Sequence, residues 1–192
     1  MAQAPYDPKT GTRRRGRPPE LERTAIAQAA LAEISGFSVA KVARRLGSTP
    51  GALYHHVSGR AELITMAAQA ALEEVHLPEP EPGPALDWRG YLHDVAETLL
   101  AALQAHPGLA LALTELNAPP PSYARMLQQA QVVLAGHGVA ERTARTAIHL
   151  LGHLAMDEAM AAAHREPEAE LWGWTFRERV ELVLDGVAFR RP

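Results

Sequence analysis

The segment GFSVAKVARRLGSTPGALYHHVSGRAEL, residues 36–63, decides the fold of the first third of this 192-residue chain. A helix-turn-helix needs a small residue where its two helices cross, a glycine in the turn and apolar residues that clamp the pair. Ala43 is the small residue and Gly47 is the turn glycine. The clamping residues are Val42, Leu46 and Leu53. The segment therefore predicts two short helices that cross at a tight turn.

Helix-starting residues lie on both sides of this turn. Pro18–Pro19 suits the start of a first helix, because proline is tolerated in the first turn. Ser38 and Ser58 are the expected caps of the second and fourth helices, and Pro50 opens the third. Together these signals predict a three-helix unit followed by a longer helix.

Apolar residues recur at helical spacing in the rest of the chain, and no segment shows the sustained alternation of a strand. The later helices are predicted at 87–106, at 140–164 and at 174–190. Between the first two of these, a short helix is predicted to end near residue 117, and another is predicted to start within 119–122 and to end near residue 136. The chain is therefore predicted to be all-α, with about nine to ten helices arranged as a helix-turn-helix unit and a helical body.

Charge is distributed unevenly along the chain. Residues 1–64 carry ten Lys or Arg against five Asp or Glu, whereas residues 65–192 carry nine against seventeen. A basic N-terminal part on an acidic body indicates that the N-terminal part meets nucleic acid. The predicted organisation is a flexible basic arm (1–17), a helix-turn-helix domain (18–64), a connecting helix (65–75), a proline-rich linker (76–86) and the body (87–192).

Composition excludes several classes of protein. The chain has no cysteine, and its net charge is −3. Disulfides and thiolate metal sites are therefore excluded, which is typical of a cytoplasmic protein. No apolar run is long enough to span a membrane, and no apolar stretch follows the N-terminal arginines as it would in a secretory signal. No nucleophile elbow, phosphate-cradling glycine loop or acid–base pair is present, so an enzyme is not expected.

The segment also resembles the TetR family of bacterial transcriptional regulators. Its Ala43-x-x-Leu46-Gly47 turn precedes Leu53-Tyr54-His55-His56, in the order of that family's turn and recognition helix. The pattern that starts the family's fourth helix follows at Ser58, Arg60, Glu62 and Leu63. The resemblance covers residues 20–75. It implies a fold that continues into a helical ligand-binding and dimerisation domain.

The resemblance also implies a set of DNA contacts. The residues expected to face the major groove are Thr49, Pro50, Gly51, Ala52 and Tyr54. Those expected to hold phosphates are Ser38, Lys41, His55, His56 and Arg60. Three of the groove residues have no side-chain donor, so readout falls to Thr49, Tyr54 and apolar contacts with thymine methyls. Two alternatives stay open: Tyr54 packs within the domain, or the two histidines are passive.

The basic arm carries a second DNA-binding signal. Arg13, Arg14, Arg15 and Arg17 surround one glycine, and Arg15-Gly16-Arg17-Pro18 matches the core of AT-hook peptides. A narrow A·T minor groove has enhanced negative potential that favours such arginines. The arm is therefore predicted to reach a minor groove beside the recognition helix. The alternative is a solvated tail.

Two helical stripes in the body predict a dimer interface. They consist of Ile148, Leu151, Ala155 and Ala159 on one helix and Phe176, Val180, Val183 and Val187 on the last. Two such helices from each of two chains would form a four-helix interface. A two-fold dimer presents two recognition helices, which predicts a palindromic operator. The alternative is that the stripes only complete the core of one chain.

The body is also predicted to bind a small-molecule effector. The candidate lining residues are Trp88, Tyr91, Met126, His149, His153, Met156 and Trp172. His149 and His153 stand one helical turn apart and could share a metal, but no carboxylate is placed to complete a site. No metal and no cofactor is therefore expected. The sequence does not identify the effector.

The expected function is a dimeric transcriptional repressor that binds a palindromic operator and is released by a small-molecule effector. The alternative is a DNA-binding module without an effector, which uses the arm for general binding to A·T-rich DNA. Comparable affinities for a palindromic upstream site and for random DNA would favour this alternative.

Overall fold

The computed structural model describes residues 22–79, 87–164 and 174–189. Over these residues the chain forms nine α-helices and one 3-10 turn (Ile34–Gly36), without any strand. The prediction of an all-α chain is confirmed. The helices are α1 (Arg23–Ala32), α2 (Val39–Arg45), α3 (Pro50–Leu53), α4 (Arg60–Glu73), α5 (Trp88–Ala105), α6 (Leu109–Leu113), α7 (Pro121–Ala135), α8 (Glu141–His164) and α9 (Phe176–Phe189).

Helices α1 to α4 form the head of the molecule. Helix α1 packs along α4, and the contact is rich in small side chains. The buried alanines are Ala29 and Ala30 on α1 and Ala67, Ala68, Ala70 and Ala71 on α4. Side chains of this size let two helices approach closely. Because α4 runs without a break past residue 64, the connecting helix predicted from residue 65 is continuous with the head.

The crossing of α2 and α3 follows the sequence pattern. Val42, Ala43 and Leu53 are completely buried at this crossing. Gly47 has φ +63°, a left-handed conformation that glycine adopts without steric cost. The amide of Ser48 then donates to the Ala43 carbonyl at 2.9 Å and closes the turn.

The helix starts agree only in part with the predicted caps. Ser38 occupies the N-cap of α2, but its side chain makes no capping hydrogen bond. Ser58 lies one residue before the N-cap of α4, which is Gly59. Ser58 instead donates both its amide and its hydroxyl to Glu62, at 2.7 and 2.9 Å. Ser58 therefore does not cap α4, and Glu62 instead binds the residue that precedes the helix.

Helix α8 is the centre of the body, where α5, α6, α7 and α9 pack against it. Ion pairs also join two of these helices to each other: Arg89 of α5 pairs with Glu181 and Asp185 of α9. The head joins the body where α4 contacts α6 and α7. Head and body share one continuous apolar core.

Two predicted segments fall partly or wholly outside the described residues. The arm (1–17) lies outside them. Residues 80–86 of the predicted linker also lie outside them, whereas its described residues, 76–79, are not helical. Among the helices in the described ranges, none combines the length and hydropathy needed to cross a membrane.

Candidate nucleic-acid interface and effector cavity

Helix α3 presents an exposed face at the end of the head. Thr49 caps the helix, since its hydroxyl oxygen accepts the Ala52 amide at 3.2 Å, and Pro50 takes the first helical position. Thr49, Pro50 and Gly51 are exposed, and Ala52 is half-buried. Tyr54 is 51% exposed, so it projects outward rather than packing within the head. These residues form the recognition face.

Arg23 fixes the chain that follows this face. Its guanidinium donates to the His56 carbonyl at 3.1 Å and to the Glu62 carboxylate at 2.6 Å. The pKa of Glu62 falls to about 2, chiefly because the Ser58 amide donates to the carboxylate and also because Arg23 and the Ser58 hydroxyl do. The turn after α3 is therefore tied to both α1 and α4.

The predicted phosphate ligands differ in their exposure and in their hydrogen bonds within the protein. His55 is exposed, whereas Ser38 and His56 are half-buried. Lys41 donates its ammonium to the Gly36 carbonyl at 2.9 Å. Lys41 therefore stabilises the turn before α2, and it can reach a phosphate only by sharing or giving up that bond.

Arg60, another predicted phosphate ligand, makes three hydrogen bonds within the protein. Its guanidinium donates two hydrogen bonds to Glu115, both at 2.7 Å, and a third to the Phe37 carbonyl at 3.2 Å. It also lies 4.6 Å from the centre of the Phe37 ring. Its fork is therefore already engaged by Glu115 and Phe37, and Arg60 can hold a phosphate only by sharing or giving up these bonds. Its partner lies 55 residues away in sequence, so no local pattern reveals it.

The Arg60–Glu115 pair joins head to body. Arg60 begins α4, and Glu115 follows α6. The hydrogen bonds from Arg60 lower the pKa of Glu115 below its usual range. Nearby, Gly108 has φ +93°, and a β-carbon there would lie 2.7 Å from the Ser35 α-carbon. The body therefore meets the 3-10 turn of the head at backbone distance.

A cavity of about 400 Å³ opens directly behind this junction, within the size range of small-molecule sites. Thr114 and Leu116, on either side of Glu115, line it. Most of the wall is apolar, with Leu72 of α4 and Leu99 and Leu103 of α5. The segment that carries Glu115 is therefore shared by the cavity and the contact with the head.

Polar groups meet on the α7–α8 side of the cavity. The Nε2 atoms of His149 and His153 lie 3.3 Å apart, and the Tyr123 hydroxyl lies 3.5 Å from His149 Nδ1. Burial raises the pKa of Tyr123. Within the described ranges, no group of three metal-ligating side chains is arranged to hold a metal ion. This wall can supply hydrogen bonds to a bound molecule.

Three of the seven predicted lining residues are in the cavity wall: His149, His153 and Met156. Trp172 lies outside the described residues. The other three predicted residues do not line this cavity. Tyr91 and Met126 are buried in the core, with relative exposures of 4% and 8%, and Trp88 stacks with Arg89 instead.

Sequence reasoning missed Tyr123, which lies early in α7. The prolines that start α7 fix its place near the cavity mouth, since Pro119 and Pro120 also line the wall. That proline run was the available signal.

The predicted dimer stripe is also revised. Ile148, Leu151, Ala155, Val180 and Val187 are buried within the single chain, whereas Ala159, Phe176 and Val183 are half-buried. The first five belong to the core of the chain and cannot face a partner. On the same two helices, Leu150 and Leu182 are exposed at 47% and 57%.

Known proteins with similar sequences or structures were compared with this chain. No protein-family model matches the chain. The HTH-type transcriptional repressor DrrR1 of Streptomyces coeruleorubidus is 33% identical over 102 residues, which are 50% of this chain. The match spans only 36% of the length of that relative.

Solved structures match over most of the chain. BioQ with its double-stranded DNA operator has a TM-score of 0.71 at 21% identity, covering 89% of this chain and 100% of that chain. A variant of TetR from Acinetobacter baumannii AYE, in complex with minocycline, has a TM-score of 0.73 at 22% identity, covering 90% and 100%. The TetR family protein ActR of Streptomyces coelicolor, in complex with actinorhodin, has a TM-score of 0.73 at 20% identity, covering 88% and 98%. This chain has the fold of the TetR-family regulators.

Proposed function

We propose that this protein is a dimeric transcriptional repressor of the TetR family, which binds a palindromic operator and leaves it when a small molecule enters the body. The observation that carries the proposal is the Arg60–Glu115 pair, which connects the DNA-binding head to the wall of the cavity. A regulator of this kind needs a DNA-reading surface, an effector site and a physical connection between them. The chain offers a candidate for each.

The recognition face supports the DNA-binding part of the proposal. Thr49 and Tyr54 keep polar groups at the surface of a short helix, as a major-groove reader requires. Arg23 and Glu62 hold the end of that helix on a rigid support. A rigid helix loses little conformational entropy when it docks. BioQ, a structural neighbour, is known with its operator.

The junction supports the regulatory part. A molecule that spreads the cavity displaces Thr114 or Leu116, and Glu115 moves with them. Arg60 follows because two hydrogen bonds join it to Glu115. Since Arg60 is the first residue of α4, its displacement changes the position of the head. Two structural neighbours hold ligands, minocycline in one and actinorhodin in the other.

The exposed leucines of α8 and α9 support a dimer. Leu150 and Leu182 are both about half exposed, and Gly186 of α9 has open space around it. We expect a second copy to cover this face and to place two recognition faces on one side of the DNA. Binding then requires a two-fold symmetric site. This role needs no catalytic group, and we infer a cytoplasmic regulator rather than an enzyme.

The arm is expected to add affinity outside the major groove. Its arginines neutralise phosphates or enter the minor groove, so they make binding more sensitive to salt. Deleting residues 1–17 should weaken operator binding and flatten the dependence of the logarithm of affinity on the logarithm of salt concentration. The same affinity and slope in the deleted protein would make the arm a solvated tail.

The test of the function is a DNA titration. Fluorescence anisotropy would compare the promoter-proximal DNA of the protein's own gene with a scrambled duplex of equal composition, at two salt concentrations. Specific protein–DNA complexes are typically at least ~10³-fold tighter than non-specific ones. A preference of that order for the native duplex is the expected result. Equal affinities for both duplexes would contradict a sequence-specific repressor.

A further inference from the structure

The cavity wall carries a marked charge imbalance. Its described lining contains one carboxylate, from Asp157, and no lysine or arginine. Arg60, the cation at the nearby junction, already donates to Glu115. Moving an anion out of water into an apolar site without a counter-charge is strongly unfavourable. The wall therefore disfavours anionic molecules.

The polar side of the cavity forms a chain of hydrogen-bonding groups, from Tyr123 through His149 to His153. Each neutral imidazole has one donor nitrogen and one acceptor nitrogen. When the Tyr123 hydroxyl donates to His149, His149 donates to His153, and the far nitrogen of His153 is left as a donor. When the direction reverses, the Tyr123 hydroxyl becomes the free donor and that nitrogen of His153 the acceptor. In both directions the chain offers one donor and one acceptor without any net charge.

Gly152 makes this arrangement possible. A β-carbon at this position would lie 2.8 Å from the Tyr123 hydroxyl, so any larger residue would displace that group. The glycine separates His149 from His153 on α8 and keeps Tyr123 beside them. The hydrogen-bonding chain is therefore built by the packing of α7 on α8.

The rest of the wall is suited to a broad apolar skeleton. Leu72, Leu99 and Leu103 lie on the head and α5 side, while Met156 and Met160 continue along α8. Methionine side chains are flexible and adapt to irregular shapes. Asp157 follows His153 by one helical turn and is exposed, so it can meet a cationic group at the mouth.

We infer that the effector is an uncharged or cationic amphiphile, whose polar edge bonds to the Tyr123–His149–His153 chain and whose apolar skeleton fills the leucine and methionine wall. This inference rests on the proposed function, because it assigns the chemical class of the molecule that occupies the effector cavity. It disfavours carboxylates and sulfonates as effectors when His149 and His153 are neutral.

Four pyrene derivatives of matched skeleton test the charge preference: 1-pyrenemethanol, 1-pyrenemethylamine, 1-methylpyrene and 1-pyrenecarboxylate. Each is titrated into the full chain at pH 8 without DNA, and binding is followed by pyrene fluorescence. The alcohol and the ammonium should bind at least ~10-fold more tightly than the carboxylate, as expected for a buried anion without a partner. A carboxylate that binds as tightly as the alcohol would overturn the inference.

Variants locate the binding and test its two components. Met156→Trp fills the cavity and should abolish binding of the alcohol, whereas retained binding would place the probe elsewhere and overturn the inference. His153→Leu should weaken binding of the alcohol about fivefold, which is the size of one net hydrogen bond. The same variant should leave the binding of 1-methylpyrene unchanged. Equal losses of affinity for both probes would contradict the role of Tyr123, His149 and His153 as hydrogen-bonding groups. Circular dichroism checks that each variant is folded.

A charge reversal supplies the last control. Asp157→Lys should raise the affinity for 1-pyrenecarboxylate about fivefold, the upper range for an exposed ion pair. Glu97→Lys makes the same change of charge on α5, outside the cavity wall, and should have no effect. Equal effects of the two variants would refute the role of Asp157. Because DNA is absent throughout, failure of operator binding would contradict the proposed function without altering these results.

Discussion

Removing the Arg60–Glu115 pair should weaken the connection between head and body. The perturbation is Glu115→Gln, which deletes the charge and keeps a side chain of similar size. The pair is bidentate, with both hydrogen bonds at 2.7 Å, which is the strong geometry for an arginine and a carboxylate. Its two side chains are 44% and 43% exposed, so water screens the attraction. We therefore expect a coupling energy of about 1 kcal/mol between Arg60 and Glu115, which is the top of the range for exposed ion pairs.

A double-mutant cycle measures this interaction. The free energies of unfolding of the wild type, Arg60→Gln, Glu115→Gln and the double variant are obtained from urea titrations. The matched control is the pair Arg125–Glu73, which also joins the body to α4 but is exposed at 67% and 52% with a separation of 4.0 Å. Its coupling energy should be close to zero.

The same variants report on regulation. For any compound that releases the wild type from its operator, the ratio of operator affinities without and with the compound is measured for each variant. Glu115→Gln should reduce this ratio about fivefold, which corresponds to about 1 kcal/mol of lost coupling. The Glu73→Gln ratio should equal that of the wild type. If both variants keep the wild-type ratio, the pair does not carry the signal.

Three further predictions concern the head and its contacts. Gly108→Ala should destabilise the protein by about 2 kcal/mol in thermal unfolding, because the new side chain is strained at positive φ and meets the 3-10 turn; Gly136→Ala, where no such contact exists, should be nearly neutral. Tyr54→Ala should weaken operator binding about tenfold with an unchanged melting temperature, since the ring is exposed, while Val132→Ala on the remote surface of α7 should leave operator binding intact. The carboxylate of Glu62, with its pKa lowered to about 2, contributes stability above its ordinary pKa of 4.5 that is lost as the pH falls toward 2. Acid titration of Glu62→Gln should therefore show a smaller loss of stability between pH 4.5 and 2, and the same loss as the wild type would refute that assignment.

The head could be predicted from sequence because its determinants are local. Ala43, Gly47 and Leu53 lie within eleven residues of one another, and each acts on the same crossing. The turn needs a glycine and the crossing needs a small residue, so these positions identify the motif. The exposure of Tyr54 could not be decided in the same way, because a tyrosine suits both a core and a surface.

The errors have a common physical cause, which is that helical spacing does not identify the partner of a face. The stripe of Ile148 and Leu151 correctly marks an apolar face of α8, but α5, α7 and α9 of the same chain already cover it. Arg60 is an equally non-local case, since its partner follows α6. The spacing of apolar residues shows which face of each helix is buried. Whether the same chain or a second copy covers that face depends on the tertiary arrangement.

Hydroxyl-radical footprinting of the full-length protein on its own promoter-proximal DNA tests the central claim most directly. A two-fold dimer with two recognition faces should protect a palindrome whose half-sites lie about one helical turn apart, or a multiple of that distance. The Tyr54→Ala variant should need about tenfold more protein to protect the two half-sites, and both should weaken together. Uniform protection along the duplex, or a single protected patch without symmetry, would contradict a dimeric repressor that reads DNA with α3.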